Sequence, residues 1–173
     1  MSTPAYSVAS AVPLQGSDYL PYVLEKIDSA KIRIWASIFI VDARADKDEF
    51  LSVRALIERL AYASWRKVDV RVIVGTATIE DVYVACLASS HYMKKQGIDV
   101  RGFGSSSGRK STHSKYVLFD DDLVVVGSSN WSHEAFNKAL NSSLAIESRG
   151  LADGLSREFS AAWQTSNEVA YEN

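Results

Sequence analysis

The sequence predicts an α/β fold, a mixed β-sheet flanked by helices on both faces, and three observations carry that prediction. "KIRIWASIFIV" and "VDVRVIVG" are nearly continuous apolar runs rich in β-branched residues, the pattern of strands covered on both sides. The stretches between such runs repeat their apolar residues at helical spacing. "SKYVLF" and "DLVVVGS" are separated only by "DDD", which joins two strands into an antiparallel pair and makes the sheet mixed.

Taken in order, "YSVASAV" reads as a first strand. "GSDYLPYVLEKIDSA" then places Leu20, Val23, Leu24 and Ile27 on one helical stripe, with Ser17 as its cap. After the strand "KIRIWASIFIV", the segment "DEFLSVRALIERLAYASW" returns to helical period through Val53, Leu56, Ile57, Leu60 and Ala61. The strand "VDVRVIVG" leads to a helix, "IEDVYVACLASSHYMKKQG", which ends where Gly97 supplies a left-handed residue. A short strand "IDVRGF" precedes the "DDD" hairpin, and a helix starts at Ser132. The strand "SLAIES" and the helix "LADGLSREFSAAWQ", with Leu151, Leu155, Phe159 and Trp163 on one stripe, complete the chain. No internal repeat or linker interrupts this alternation, so residues 1–173 are expected to form one domain.

Composition narrows the function classes. With 173 residues, 47% apolar and 23% charged, the chain is long enough for a sizeable core and ordinary for a soluble globular protein. The single cysteine, Cys86, excludes an intrachain disulfide and reads as a buried thiol. The N-terminal stretch has no basic segment followed by an apolar one, and no run is long enough to span a bilayer, so a cytoplasmic protein without a membrane anchor is expected. A net charge of −2 argues against a basic coat for long duplexes. It leaves room for a local basic site, and "RGFGSSSGRK" places Arg101, Arg109 and Lys110 in or beside a Gly/Ser-rich loop as candidate nucleic-acid contacts.

The chemistry concentrates in "THSKYVLFDDDLVVVGSSNWS". Strand side chains return to one face at every second residue, so His113 and Lys115 project together, as do Ser128 and Asn130 beyond Gly127. Pairing across the "DDD" turn brings the two pairs side by side. A cation, an imidazole, an amide and a hydroxyl on one spot suit a phosphate: lysine supplies charge, amide and hydroxyl supply donors, and the imidazole attacks or carries protons. Gly127 permits close backbone approach, and Asp120 reads as a residue that organises the turn. Other residues read as ordinary: His91 as a surface residue, His133 as a helix-start histidine, Trp131 and Trp35 as core aromatics.

The spacing His113-x-Lys115-x4-Asp120-x6-Gly127-Ser128-x-Asn130 resembles the HKD signature of the phospholipase D superfamily, and the order of elements before it is similar too. The chain holds one copy of a signature that single-chain members carry twice, and so resembles the single-motif, nuclease-like branch. That resemblance implies a homodimer with a shared active site on its two-fold axis, no cofactor and no metal, and a nucleic-acid substrate. It also implies that His113 attacks phosphorus to give a phosphohistidine while the second copy's His113 protonates the leaving oxygen, with Lys115 and Asn130 holding the phosphoryl oxygens. One departure stands out. Where the best-studied single-motif nucleases have an acid in "N-S-E" that holds the histidine ring, this chain has "NSS" with Ser143, leaving Ser143, Glu147 or Glu134 to orient His113. Phospholipid hydrolysis or transfer, and a non-catalytic nucleic-acid-binding dimer, are the alternatives.

Overall fold

The computed structural model describes residues 5–44, 50–76, 79–104 and 111–168. Its centre is an eight-stranded sheet of order β1-β7-β6-β5-β2-β3-β4-β8. The strands are β1 (Ser10–Gln15), β2 (Arg33–Ile38), β3 (Asp69–Gly75), β4 (Asp99–Phe103), β5 (Lys115–Phe119), β6 (Leu123–Gly127), β7 (Ser142–Glu147) and β8 (Asn167–Glu168). β2, β3 and β4 run parallel, as their intervening helices require, whereas β5, β6, β7 and β1 pair antiparallel. The two halves meet where β2 pairs antiparallel with β5, Ile34 opposite Phe119 and Ile38 opposite Lys115. The sheet is therefore mixed, as the sequence predicts.

Helices α1 (Tyr19–Ser29), α2 (Leu51–Trp65), α3 (Glu80–Lys95) and the short α4 (His133–Asn137) contribute to the larger core, around Val23, Ile34, Leu56, Ile57, Leu60, Met93 and Trp131. The long α5 (Arg149–Thr165) covers the opposite face, where Phe159 and Trp163 pack with Ile73, Tyr116, Leu118 and Val124. Period-2 alternation assigns the faces: on β5, Val117 and Phe119 belong to the first core and Tyr116 and Leu118 to the second. Trp35, half-buried on the α5 side, stacks on Phe159 with centroids 5.1 Å apart and donates through Nε1 to Asp69 Oδ2 at 3.0 Å. Among the described residues no helix is long and apolar enough to cross a membrane.

Several local expectations are revised. The first strand begins at Ser10, not at Tyr6, and it contains Pro13, which an edge strand accommodates because that position need not donate to a neighbour. Ser17 does not cap α1. It sits in a 3-10 turn, Gly16–Asp18, in which the Asp18 carboxylate accepts the Gln15 N–H at 3.3 Å. On α5 the buried stripe is Ala152, Ser156, Phe159 and Trp163, with Leu151 and Leu155 at its margin. The two-residue β8 carries no sequence signal and pairs with β4 after α5 has crossed the sheet.

Candidate active site

The site is built around the carboxyl end of β2, where the chain continues as Phe39-Ile40. The Phe39 N–H donates to Ser114 O at 3.0 Å, holding the segment that carries His113. The next residue, Ile40, donates its N–H to Asn130 Oδ1 at 3.2 Å, and its own carbonyl accepts the Trp131 N–H at 3.0 Å. Two consecutive residues thus hold His113 on one side and Asn130 on the other. Because a backbone N–H can only donate, the amide oxygen of Asn130 is fixed toward Ile40 and the Nδ2 group is left as a donor.

The Phe39 ring is the support for both motif residues. His113 lies against it, ring centroids 4.5 Å apart and planes tilted by 37°, and Lys115 Nζ lies 5.0 Å from its centroid. Lys115 Nζ donates to His113 O at 2.9 Å and lies 3.4 Å from His113 Nδ1, leaving Nε2 as the ring nitrogen without a partner. His113 is exposed, so that nitrogen is open to a substrate. Partial burial lowers the Lys115 pKa from its ordinary value, because the charged form loses hydration. Gly75, at the end of β3, makes the support possible: a Cβ there would lie 2.6 Å from Phe39 O and 2.7 Å from Phe39 Cδ2. Phe39 escapes a motif reading because it is one more apolar letter in a buried run.

Gly127 sits opposite Ser143 in the β6–β7 ladder, and a Cβ on it would collide with Ser143 Oγ and Ser142 O. That contact accounts for glycine at this point in the signature. Ser128 differs from expectation. Its hydroxyl donates to Asn141 Oδ1 at 3.0 Å and accepts the Ser142 N–H at 3.1 Å, so its proton is used within the protein, bracing the β6–β7 corner rather than a phosphate. Ser143 is buried with its hydroxyl 3.5 Å from Ser129 Oγ, and it faces Ser129 rather than His113. Glu147 cannot orient His113. It ends β7 opposite Leu123, four residues from Ser143 and hence about 13 Å along the strand from the Gly127 end. Glu134 is exposed on α4. Asp120 does more than organise its turn. At φ +50° it accepts the N–H groups of Lys31, Ile32 and Arg33 at 2.7–3.1 Å, tying the hairpin to the start of β2.

Of the basic loop, Arg109 and Lys110 lie outside the described residues. Arg101 is not a free cation beside the site: it donates to Trp163 O at 2.9 Å and packs 4.5 Å from that indole, binding α5 to β4. His133 opens α4, with Ser132 as the cap accepting the Ala135 N–H. Trp131 is fully buried and donates to Tyr19 OH at 3.2 Å, a core aromatic. Cys86 is buried as well, and burial pushes its thiol up to about 11.

A groove of about 550 Å³ opens at His113 and runs between the sheet and α5. It contains a residue that sequence reasoning missed, Glu158, together with Tyr116, Ser114, Ile73 and Phe103. Only the passage of α5 across the sheet brings Glu158 there, 45 positions after His113 in sequence, and no local pattern signals it.

Comparison with known proteins gives the family and the fold. The family described as cardiolipin synthase, phospholipase D-like domain, matches residues 23–163. The chain belongs to that phospholipase D-like family. Among curated relatives, cardiolipin synthase A of Pseudomonas putida is 28% identical over 153 residues, covering 88% of this chain and 29% of the relative. The chain thus spans less than a third of the length of the curated relatives it matches. Among solved structures, the phospholipase D family member Nuc from Salmonella typhimurium superposes with TM-score 0.73 at 21% identity, covering 95% of this chain and 100% of Nuc. NucT from Helicobacter pylori gives 0.73 at 16%, covering 92% and 98%. Phosphatidylserine synthase from Haemophilus influenzae gives 0.74 at 12%, covering 97% of this chain and 41% of that one. At these identities the structures share the fold.

Proposed function

We propose that the protein is a metal-independent phosphodiesterase that cleaves nucleic acid through a phosphohistidine, with the active site shared across a homodimer. The observation that carries the reading is an exposed imidazole and a lysine ammonium on the Phe39 ring, with the Asn130 amide fixed beside them by Ile40. Nε2 of His113 attacks phosphorus and the bond to the leaving oxygen breaks, with the proton for that oxygen coming from the second copy's His113. Water then attacks phosphorus, the phosphorus–nitrogen bond breaks to free His113, and the water's proton returns to that second imidazole. Lys115 and the Asn130 amide stabilise the charge that gathers on the phosphoryl oxygens.

An apolar surface beside the site supports the dimer: Leu140 is 98% exposed, next to the Asn141 that braces Ser128, and Leu144 is 45% exposed on the strand paired with β6. Full-length matches to Nuc and NucT favour a nucleic-acid substrate by analogy of fold. The curated cardiolipin synthase relatives favour a second reading, phospholipid phosphodiester chemistry at the same residues. Purified protein assayed on DNA, RNA and phospholipid vesicles, with and without EDTA, separates the two. Chelator-resistant cleavage of nucleic acid, with a phosphohistidine trapped by alkaline quench and lost on acidification, is expected. Turnover of lipid alone would replace the nuclease reading with the second.

A further inference from the structure

The groove that opens at His113 is lined in a way that holding a phosphate does not require. A carboxylate beside a phosphodiester is unfavourable unless the ligand offers it a donor. Glu158 is exposed and has no hydrogen bond or ion pair within the described residues, so it is not held in place as one member of a structural salt bridge. Around it the groove presents Ser114 Oγ and Tyr116 OH, which have no hydrogen bond among the described residues, and the apolar Phe103 as a wall with Ile73 buried behind it. The Tyr116 hydroxyl is pushed well above its ordinary value by burial, with the Glu158 charge adding to the effect, so it remains a donor.

The dimensions suit one nucleoside. About 550 Å³ lies within the range of pockets that enclose small molecules, roughly 300–1,000 Å³. With the phosphate at His113, a sugar meets Glu158 and the edge of Tyr116 while a base has the half-buried Phe103 to lie against. A ribose offers its 2′-hydroxyl as donor and acceptor, whereas a deoxyribose leaves the carboxylate facing an anionic strand with nothing to accept. A diacyl lipid fits less well, because the polar Ser111, Thr112 and Ser114 line the same groove.

We infer that Glu158 is a specificity-determining residue that accepts a hydrogen bond from the ribose 2′-hydroxyl beside the scissile phosphate, so that the strand preferred is single-stranded RNA. This rests on the phosphodiesterase reading of the site.

The test compares kcat/KM for short single strands of matched sequence in RNA, DNA and 2′-O-methyl RNA, using the wild-type protein and Glu158→Gln. A hydrogen bond to a charged group predicts a wild-type preference for RNA over DNA of about tenfold, reduced in Glu158→Gln, whose neutral amide oxygen is a weaker acceptor, mainly through loss of RNA turnover. The 2′-O-methyl strand, which cannot donate, should follow DNA. The readout is a ratio, so it does not depend on how much of the variant is folded, and Glu158→Ala, which removes the acceptor, should collapse it to parity. An RNA-to-DNA ratio identical in wild type and both variants overturns the inference, as does a Glu158-dependent preference seen only on phosphatidylglycerol vesicles. Absence of turnover of every diester by the wild-type protein, bis(p-nitrophenyl) phosphate included, would instead overturn the phosphodiesterase reading.

Discussion

Lys115 and Asn130 show how single residues set the chemistry. Burial favours neutral Lys115, so its folded pKa lies below the ordinary 10.5 while the unfolded chain keeps the proton longer. Two consequences have definite signs. In the proposed mechanism the charge that binds phosphate is lost as pH rises through the lowered pKa, so the alkaline limb of the activity profile should fall short of pH 10.5. In the interval between the two pKa values the unfolded state binds more protons, so Lys115 makes the folded protein more stable as pH rises there. Chemical denaturation across alkaline pH should show the stability difference between wild type and Lys115→Met move in favour of the wild type over that interval, on top of the loss that buried Tyr19, Cys86 and Tyr116 impose on both. For Asn130, one donor to a developing oxyanion is worth about 10²–10³-fold, so Asn130→Ala should lower kcat on that scale with KM little changed. The convergence of His113, Lys115 and Asn130 was legible because their spacing is local. Glu147, Arg101 and Ser128 were misread because a sequence shows neither which end of a strand a residue occupies nor which neighbour has already used its hydrogen bonds.

At the scale of elements, the "DDD" hairpin and the β6–β7 corner fix the frame on which those residues stand. Asp120 accepts three N–H groups from the start of β2, whereas Asp121 makes only a partly exposed contact with Arg33 at 3.4 Å. Replacing Asp120 by alanine strands those donors and should destabilise the protein by about 2–4 kcal/mol, against under about 1 kcal/mol for Asp121→Ala. Urea denaturation of the two variants measures the difference. Gly127→Ala places a methyl group against Ser143 Oγ and Ser142 O, and overpacking at such a point costs about 1–3 kcal/mol. Because the shift falls on Ser128–Asn130, its loss of activity at a temperature where it remains folded should exceed that of Asp121→Ala. Element order was legible from period and turn residues. The N-terminal strand was displaced because its letters fit a strand in several registers, and only its pairing with β7 selects Ser10–Gln15.

For the whole molecule, mixed topology and helices on both faces could be read in advance. The path of α5 could not, since its amphipathic stripe fits any open apolar face, and the α5 side chain in the groove was missed with it. The proposed dimer makes a prediction at this scale. Leu140 and Leu144 are exposed, so aspartate at both should leave the secondary structure seen by circular dichroism unchanged, while the melting temperature loses its dependence on protein concentration. Light scattering should then report a shift from dimer to monomer, with diesterase activity falling in step. A variant that stays dimeric and active would put the interface elsewhere.

The closure of β2 onto β5 also has a consequence in time. Phe39 supports a histidine encoded 74 positions later, Ile40 holds an asparagine 90 positions away, and Asp120 reaches back 89 residues to Lys31. Loop closure over such separations is slow compared with forming a helix or a hairpin. A chain emerging from the ribosome therefore carries β2 and its phenylalanine well before any imidazole is set against it. On the proposed reading as an RNA-cleaving diesterase, the growing polypeptide should be harmless to the messenger that encodes it, and in refolding from urea diesterase activity should return no earlier than the last phase of tryptophan fluorescence.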